Sequence, residues 1–105
     1  MREVVYAGGS FITSDAIAET LLEYAAQLAN ADRAANVHVP ALDEFGQPFD
    51  ISVVIGPASQ LLSEPVINSA ADPDGDGFIA DVTQRMRDLR RSWPTTPFDR
   101  IEWEL

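Results

Sequence analysis

The run DAIAETLLEYAAQLAN, residues 15–30, carries its apolar residues on one side only. Ile17, Leu21, Tyr24 and Leu28 recur at helical spacing with Ala18, Leu22, Ala25 and Ala29 beside them, while Asp15, Glu19, Glu23 and Gln27 fall opposite. Such a helix gains its stability from the surface it lies on rather than from its own propensity. The rest of the chain must therefore supply that surface. Thr13 is the expected N-cap, because Ile12 and Ile17 are then spaced as a hydrophobic staple; Ser14 is the alternative.

The surface is a sheet. Val4, Val5 and Tyr6 read as a buried strand that Gly8 and Gly9 end or bend, with SFI continuing it. NVHVPAL alternates, Val37, Val39 and Ala41 facing one way and His38 and Pro40 the other. A proline cannot donate to a ladder, so Pro40 marks an edge strand or a strand end. FDISVVIG is the clearest strand, with Phe49, Ile51, Val53 and Ile55 on one face. The turn-rich DEFGQP joins these two as an antiparallel hairpin. Residues 57–66 fit either a helical turn opened by Pro57 and closed by Pro65 or a further strand, and the helical turn is slightly favoured.

A second helix follows in FIADVTQRMRDLRRSW, where Phe78, Val82, Met86, Leu89 and Trp93 form the apolar stripe and Pro94 ends it. Strict alternation then returns at residues 100–105, with Ile101, Trp103 and Leu105 set against Arg100, Glu102 and Glu104. The expected order is β-α-β-β-(turn or β)-α-β. That is an α+β class, with two helices packed on one face of a mostly antiparallel sheet. At 105 residues with no repeat or low-complexity tract, the chain is expected to form one domain over residues 1–105.

Composition removes much of chemistry's usual menu. Without cysteine there is no disulfide, zinc knuckle or thiol nucleophile. Every base is an arginine, so Schiff-base chemistry and a phosphate-loop lysine are excluded. His38 is the single histidine and has no partner motif; it is expected at the surface. The formal net charge is −10, and residues 1–84 hold only Arg2 and Arg33 as bases. An acidic body of this kind repels phosphate backbones and anionic membranes, so neither nucleic acid nor membrane is an expected partner. The apolar runs fall far short of a bilayer span, MREVVYAGGS lacks a signal peptide's apolar stretch, and a cytoplasmic location is expected.

One stretch hints at a site. In AADPDGDGFIADVT, Asp72, Asp74 and Asp76 occupy the first, third and fifth positions of an EF-hand-type loop, with Gly77 at the sixth. The twelfth position, where a bidentate glutamate belongs, is Thr83. An acidic turn that starts the second helix explains the same residues, its acids at the positive helix end and Arg85, Arg87, Arg90 and Arg91 towards the negative one. Calcium held by residues 72–77 is the alternative. AGGS lacks the spacing of a phosphate loop, Ser59 does not sit in a nucleophile elbow, and the paired Glu19 and Glu23 read as a solvated helix face.

No catalytic constellation emerges, and the reading leans away from an enzyme. The expected function is a non-catalytic interaction or self-assembly module, most simply a homodimer with Trp93, Ile101, Trp103 and Leu105 in its interface. An unknown protein is a further expected partner, a basic one being what the acidic charge favours. An acidic inhibitor that mimics nucleic acid is the remaining alternative, on charge alone.

Overall fold

The computed structural model describes residues 1–92, so Trp93 and the alternating segment 100–105 lie outside the described residues. The elements run β1 (Arg2–Tyr6), β2 (Gly9–Thr13), α1 (Asp15–Asn30), β3 (Ala35–Leu42), β4 (Pro48–Ile55), β5 (Leu62–Pro65) and α2 (Asp76–Ser92). The class is α+β, two helices with a five-stranded antiparallel sheet in the order β4-β3-β2-β1-β5.

Two segments differ from the sequence reading. The glycine pair does not bend one strand. Ala7 and Gly8 form a tight turn, and SFI returns along β1 with Gly9 opposite Tyr6 and Thr13 opposite Arg2. The ambiguous stretch contains β5 rather than a helical turn. Its residues pair with β1, Leu62 opposite Val5 and Pro65 opposite Arg2, and this long-range partner outweighs local preference. Ahead of β5, Pro57 and Ala58 form only a turn, closed by Ser59 N–H donating to the Gly56 carbonyl at 3.0 Å.

One face of the sheet is dry. Val4, Phe11, Val37, Val39, Ala41, Val53 and Ile55 point to it and join Ile17, Leu21, Tyr24 and Leu28 of α1 and Val82, Met86 and Leu89 of α2 in a single core. The helices lie side by side and begin at the same end. Gly75, just ahead of α2, abuts Ile17, and Arg90 near the far end of α2 donates to Gln27 of α1 at 3.4 Å. A Cβ on Gly75 would stand 2.4 Å from Ile17 Cγ1, so glycine is what permits the approach.

The cap of α1 is Ser14, not Thr13. Ser14 Oγ accepts from Ile17 N–H at 3.1 Å, and Ser14 carbonyl oxygen accepts from Ala18 N–H at 3.0 Å. Thr13 is committed elsewhere. It is the last inward residue of β2, fully buried, and its hydroxyl donates to the Pro40 carbonyl at 2.6 Å.

That bond explains how a proline sits in an interior strand. Pro40 opposes Asp50 and has no N–H, so theirs is a non-hydrogen-bonded pair. Alternation then turns the backbone groups of Asn36, His38 and Pro40 away from β4, toward the β2 side. But β2 reaches β3 at one registered pair, Ile12 opposite Leu42. The vacant edge is met by side chains instead: Thr13 at the Pro40 carbonyl, and Arg85 Nη1 donating to the Asn36 carbonyl at 3.1 Å. The sheet is thus two ladders, β5-β1-β2 and β3-β4, joined at a narrow seam.

Candidate interaction surface

Strands β4 and β5 are the two edges of the sheet, yet the chain passes from one to the other through residues 56–61 alone. At ~3.4 Å per residue this run spans about 20–24 Å. Four interstrand steps of ~4.8 Å already require about 19 Å in a flat sheet, before any offset along the strands. The run also folds back in a turn at Pro57 and Ala58, and residues of both edges come together around one space. Val53 and Val54 of β4, Val5 and Tyr6 of β1 and Leu62 of β5 consequently line one groove of about 820 Å³, floored by the connecting run.

The groove's lining holds no charged side chain, in a chain of net charge −10. Its polar groups are few. Ser59 Oγ accepts from Gly56 N–H at 2.9 Å and so is spent on closing its own turn. The apolar groups are open to solvent, Val54 at 70% and Leu62 at 53% exposure. Three sequence doublets create this. In Val4–Val5 and Val53–Val54 the first residue is buried, and Leu61 packs against the core; the second residue of each doublet is more open, and Val5, Val54 and Leu62 line the groove together with Val53 and Leu61. A strand with one wet face should alternate, so a doublet signals apolar surface on the wrong side. That signal stands in the sequence itself.

The acidic stretch has a different construction. Pro73 is buried, anchoring the loop, and Ala70 lies under Gly46 in the β3–β4 turn, where an added Cβ would come 3.3 Å from Ala70 Cβ. Asp72, Asp74 and Asp76 are all exposed. Asp74 Oδ1 accepts from Asp76 N–H at 3.1 Å, an Asx turn immediately ahead of α2. The helix begins at Asp76, two residues before Phe78, with Gly75 carbonyl accepting from Ile79 N–H at 2.8 Å. Among the described residues no three His, Asp or Glu side chains converge as a set that could hold a metal ion.

The arginines of α2 make contacts within the molecule. Arg85 pairs with Asp81 at 3.1 Å, Arg87 donates to Gln84 at 2.8 Å, Arg90 reaches Gln27, and Arg91 pairs with Asp88. His38 is exposed, its Nδ1 sharing a hydrogen bond of 2.8 Å with the cross-strand Ser52 hydroxyl. Glu19 and Glu23 are exposed on the outer face of α1. Of the expected interface residues, Trp93, Ile101, Trp103 and Leu105 all lie outside the described residues. No helix among the described residues is long and apolar enough to cross a membrane.

No family model, curated protein or solved structure matches this chain.

Proposed function

We propose that this domain is a non-catalytic protein-interaction or self-assembly module, and that the groove between the two sheet edges, with the strand edges beside it, is where it meets its partner. The observation that carries this reading is the pair Val54 and Leu62, apolar and more than half exposed on edge strands that converge on one uncharged groove. Open strand edges offer unpaired backbone donors and acceptors to a second chain, and apolar side chains beside them supply the burial that makes pairing favourable. A second copy is the simplest partner, since one self-complementary patch closes a twofold dimer.

Static light scattering on the full chain from low to high micromolar concentration tests this. A concentration-dependent dimer is expected, and Leu62→Glu should weaken it at least tenfold by placing charge in the apolar patch. A chain that remains monomeric at high micromolar concentration removes self-assembly as the function. So does a dimer indifferent to Leu62→Glu, for this surface.

A further inference from the structure

We infer that the partner this surface takes in preference to a second copy is an extended basic segment of another protein. It lies antiparallel along β5, with an arginine or lysine against Glu64 and an apolar side chain against Leu62. The inference rests on reading the groove and the strand edges beside it as the meeting surface, and adds the chemistry of what meets it. The register of β5 on β1 carries it. Val66 N–H donates to the Met1 carbonyl at 3.1 Å, one step beyond the pair Arg2–Pro65, so Met1 and Val66 form a hydrogen-bonded pair. Alternation then makes Glu3–Glu64 and Val5–Leu62 hydrogen-bonded pairs, and Arg2–Pro65 and Val4–Ser63 the reverse. The Ser63 N–H and carbonyl and the Pro65 carbonyl therefore face away from β1, on the outer edge of the sheet. Among the described residues no strand pairs with that edge. Pro65 has no N–H to give, so only a short strand can add there, centred on Ser63.

Charge decides which strand. Val4 is buried, so Glu3 and Val5 turn to the opposite face of the sheet, with Glu64 and Leu62 directly across from them. Val5 and Leu62 line the groove. Two residues along each strand, at ~7 Å, two carboxylates face each other across the ladder. Like charges in that position repel. The Ser10 hydroxyl donates to Glu3 Oε2 at 2.8 Å, but among the described residues neither carboxylate forms an ion pair. Arg2 shares the parity of Val4 and reaches toward Asp15 instead, at 3.9 Å. Arg33 stands at Gly56, just past the end of β4. An antiparallel strand centred on Ser63 sets its preceding residue against Glu64 and its following residue against Leu62. A segment that reads base, any residue, apolar residue thus meets the carboxylates with a cation and the groove with an apolar group. A second copy paired through its own β5 would bring Glu64 against Leu62 and leave the repulsion between Glu3 and Glu64 in place. The basic segment relieves that repulsion, so it fits this edge better.

The probe is a peptide that alternates arginine and leucine with threonine between them, carrying fluorescein at its N-terminus and an amide at its C-terminus. Its fluorescence anisotropy is read against the full chain. Saturable binding is expected. Glu64→Gln should weaken it about threefold, whereas Glu19→Gln, which removes the same charge from the exposed face of α1, should leave it unchanged. N-methylating the threonine between arginine and leucine removes the donor to the Ser63 carbonyl and keeps the peptide's charge; binding should weaken about fivefold. Circular dichroism checks that both variants fold. No saturable binding at high micromolar concentration overturns the inference. Equal losses in Glu64→Gln and Glu19→Gln also overturn it, since the peptide then reads net charge alone. Indifference to the N-methyl group does the same, because no strand is then added. Light scattering in the presence of the peptide is a separate readout. A monomer that binds the peptide through Glu64 ends the self-assembly reading and leaves this one standing. A dimer weakened by Leu62→Glu that neither binds the peptide nor dissociates in it does the reverse.

Discussion

Asp32 is the one described non-glycine residue with positive φ, at 56°. It sits just past the C-cap of α1, in a Schellman arrangement: Arg33 N–H donates to the Leu28 carbonyl at 2.9 Å and Asp32 N–H to the Ala29 carbonyl at 3.2 Å. The geometry is the one glycine favours, and a carboxylate here also faces the negative end of the helix dipole. Asp32→Gly should raise stability by roughly 0.5–1 kcal/mol in urea unfolding, the relieved strain exceeding the extra freedom of the unfolded chain. Asp32→Asn should gain less, through charge alone. A loss in both variants would mean that the carboxylate makes a stabilising contact. Thr13 and Gly75 show the complementary case, where a neighbour decides the residue: the Pro40 carbonyl requires the hydroxyl, and Ile17 excludes a side chain. Neither neighbour is close in sequence, which is why Thr13 reads as a cap when only its flanks are considered.

At the scale of elements, the one-sided stripe of α1 sets the expected mutational pattern. Leu21 and Ile55 are fully buried in the shared core, and Leu21→Ala and Ile55→Ala should each cost about 2–5 kcal/mol. Glu23 is exposed, and Glu23→Ala should change stability by less than about 0.5 kcal/mol. Equal losses at all three positions in denaturant melts would overturn the assignment of the buried face. Both helices and the β3–β4 hairpin were legible because each repeats its pattern over eight residues or more. The hairpin's turn was also written locally: Asp43 Oδ1 accepts from the N–H groups of Phe45 and Gln47 at 2.8 Å, and Gly46 takes a φ of 80°. Strand β5 was not legible. It is four residues long, ends in a proline, and owes its conformation to β1 across most of the chain. The β1–β2 turn was missed because Ala7 and Gly8 interrupt no alternation that a reader could follow.

For the molecule as a whole, the acidic charge and the absent lysines delimit function without naming it, and the groove was recorded only indirectly, in doublets that break a strand's alternation. The seam between β2 and β3 has a consequence of a different kind. A backbone ladder transmits cooperativity through its hydrogen bonds, and here one registered pair carries that task between two ladders. Regions joined so sparsely open and close in separate units, each with its own free energy. Native-state hydrogen exchange should therefore resolve two groups of amides, those bonding β3 to β4 and those bonding β1 to β2 and β5. Because β1–β5 closure spans residues about sixty apart in sequence whereas the β3–β4 hairpin closes over a short turn, the β1–β5 group is expected to open first under mild urea. A single exchange isotherm for every strand would show instead that the helices alone weld the ladders into one cooperative body. With two isotherms, the groove that both ladders line would change width whenever the weaker one opens, before the core unfolds.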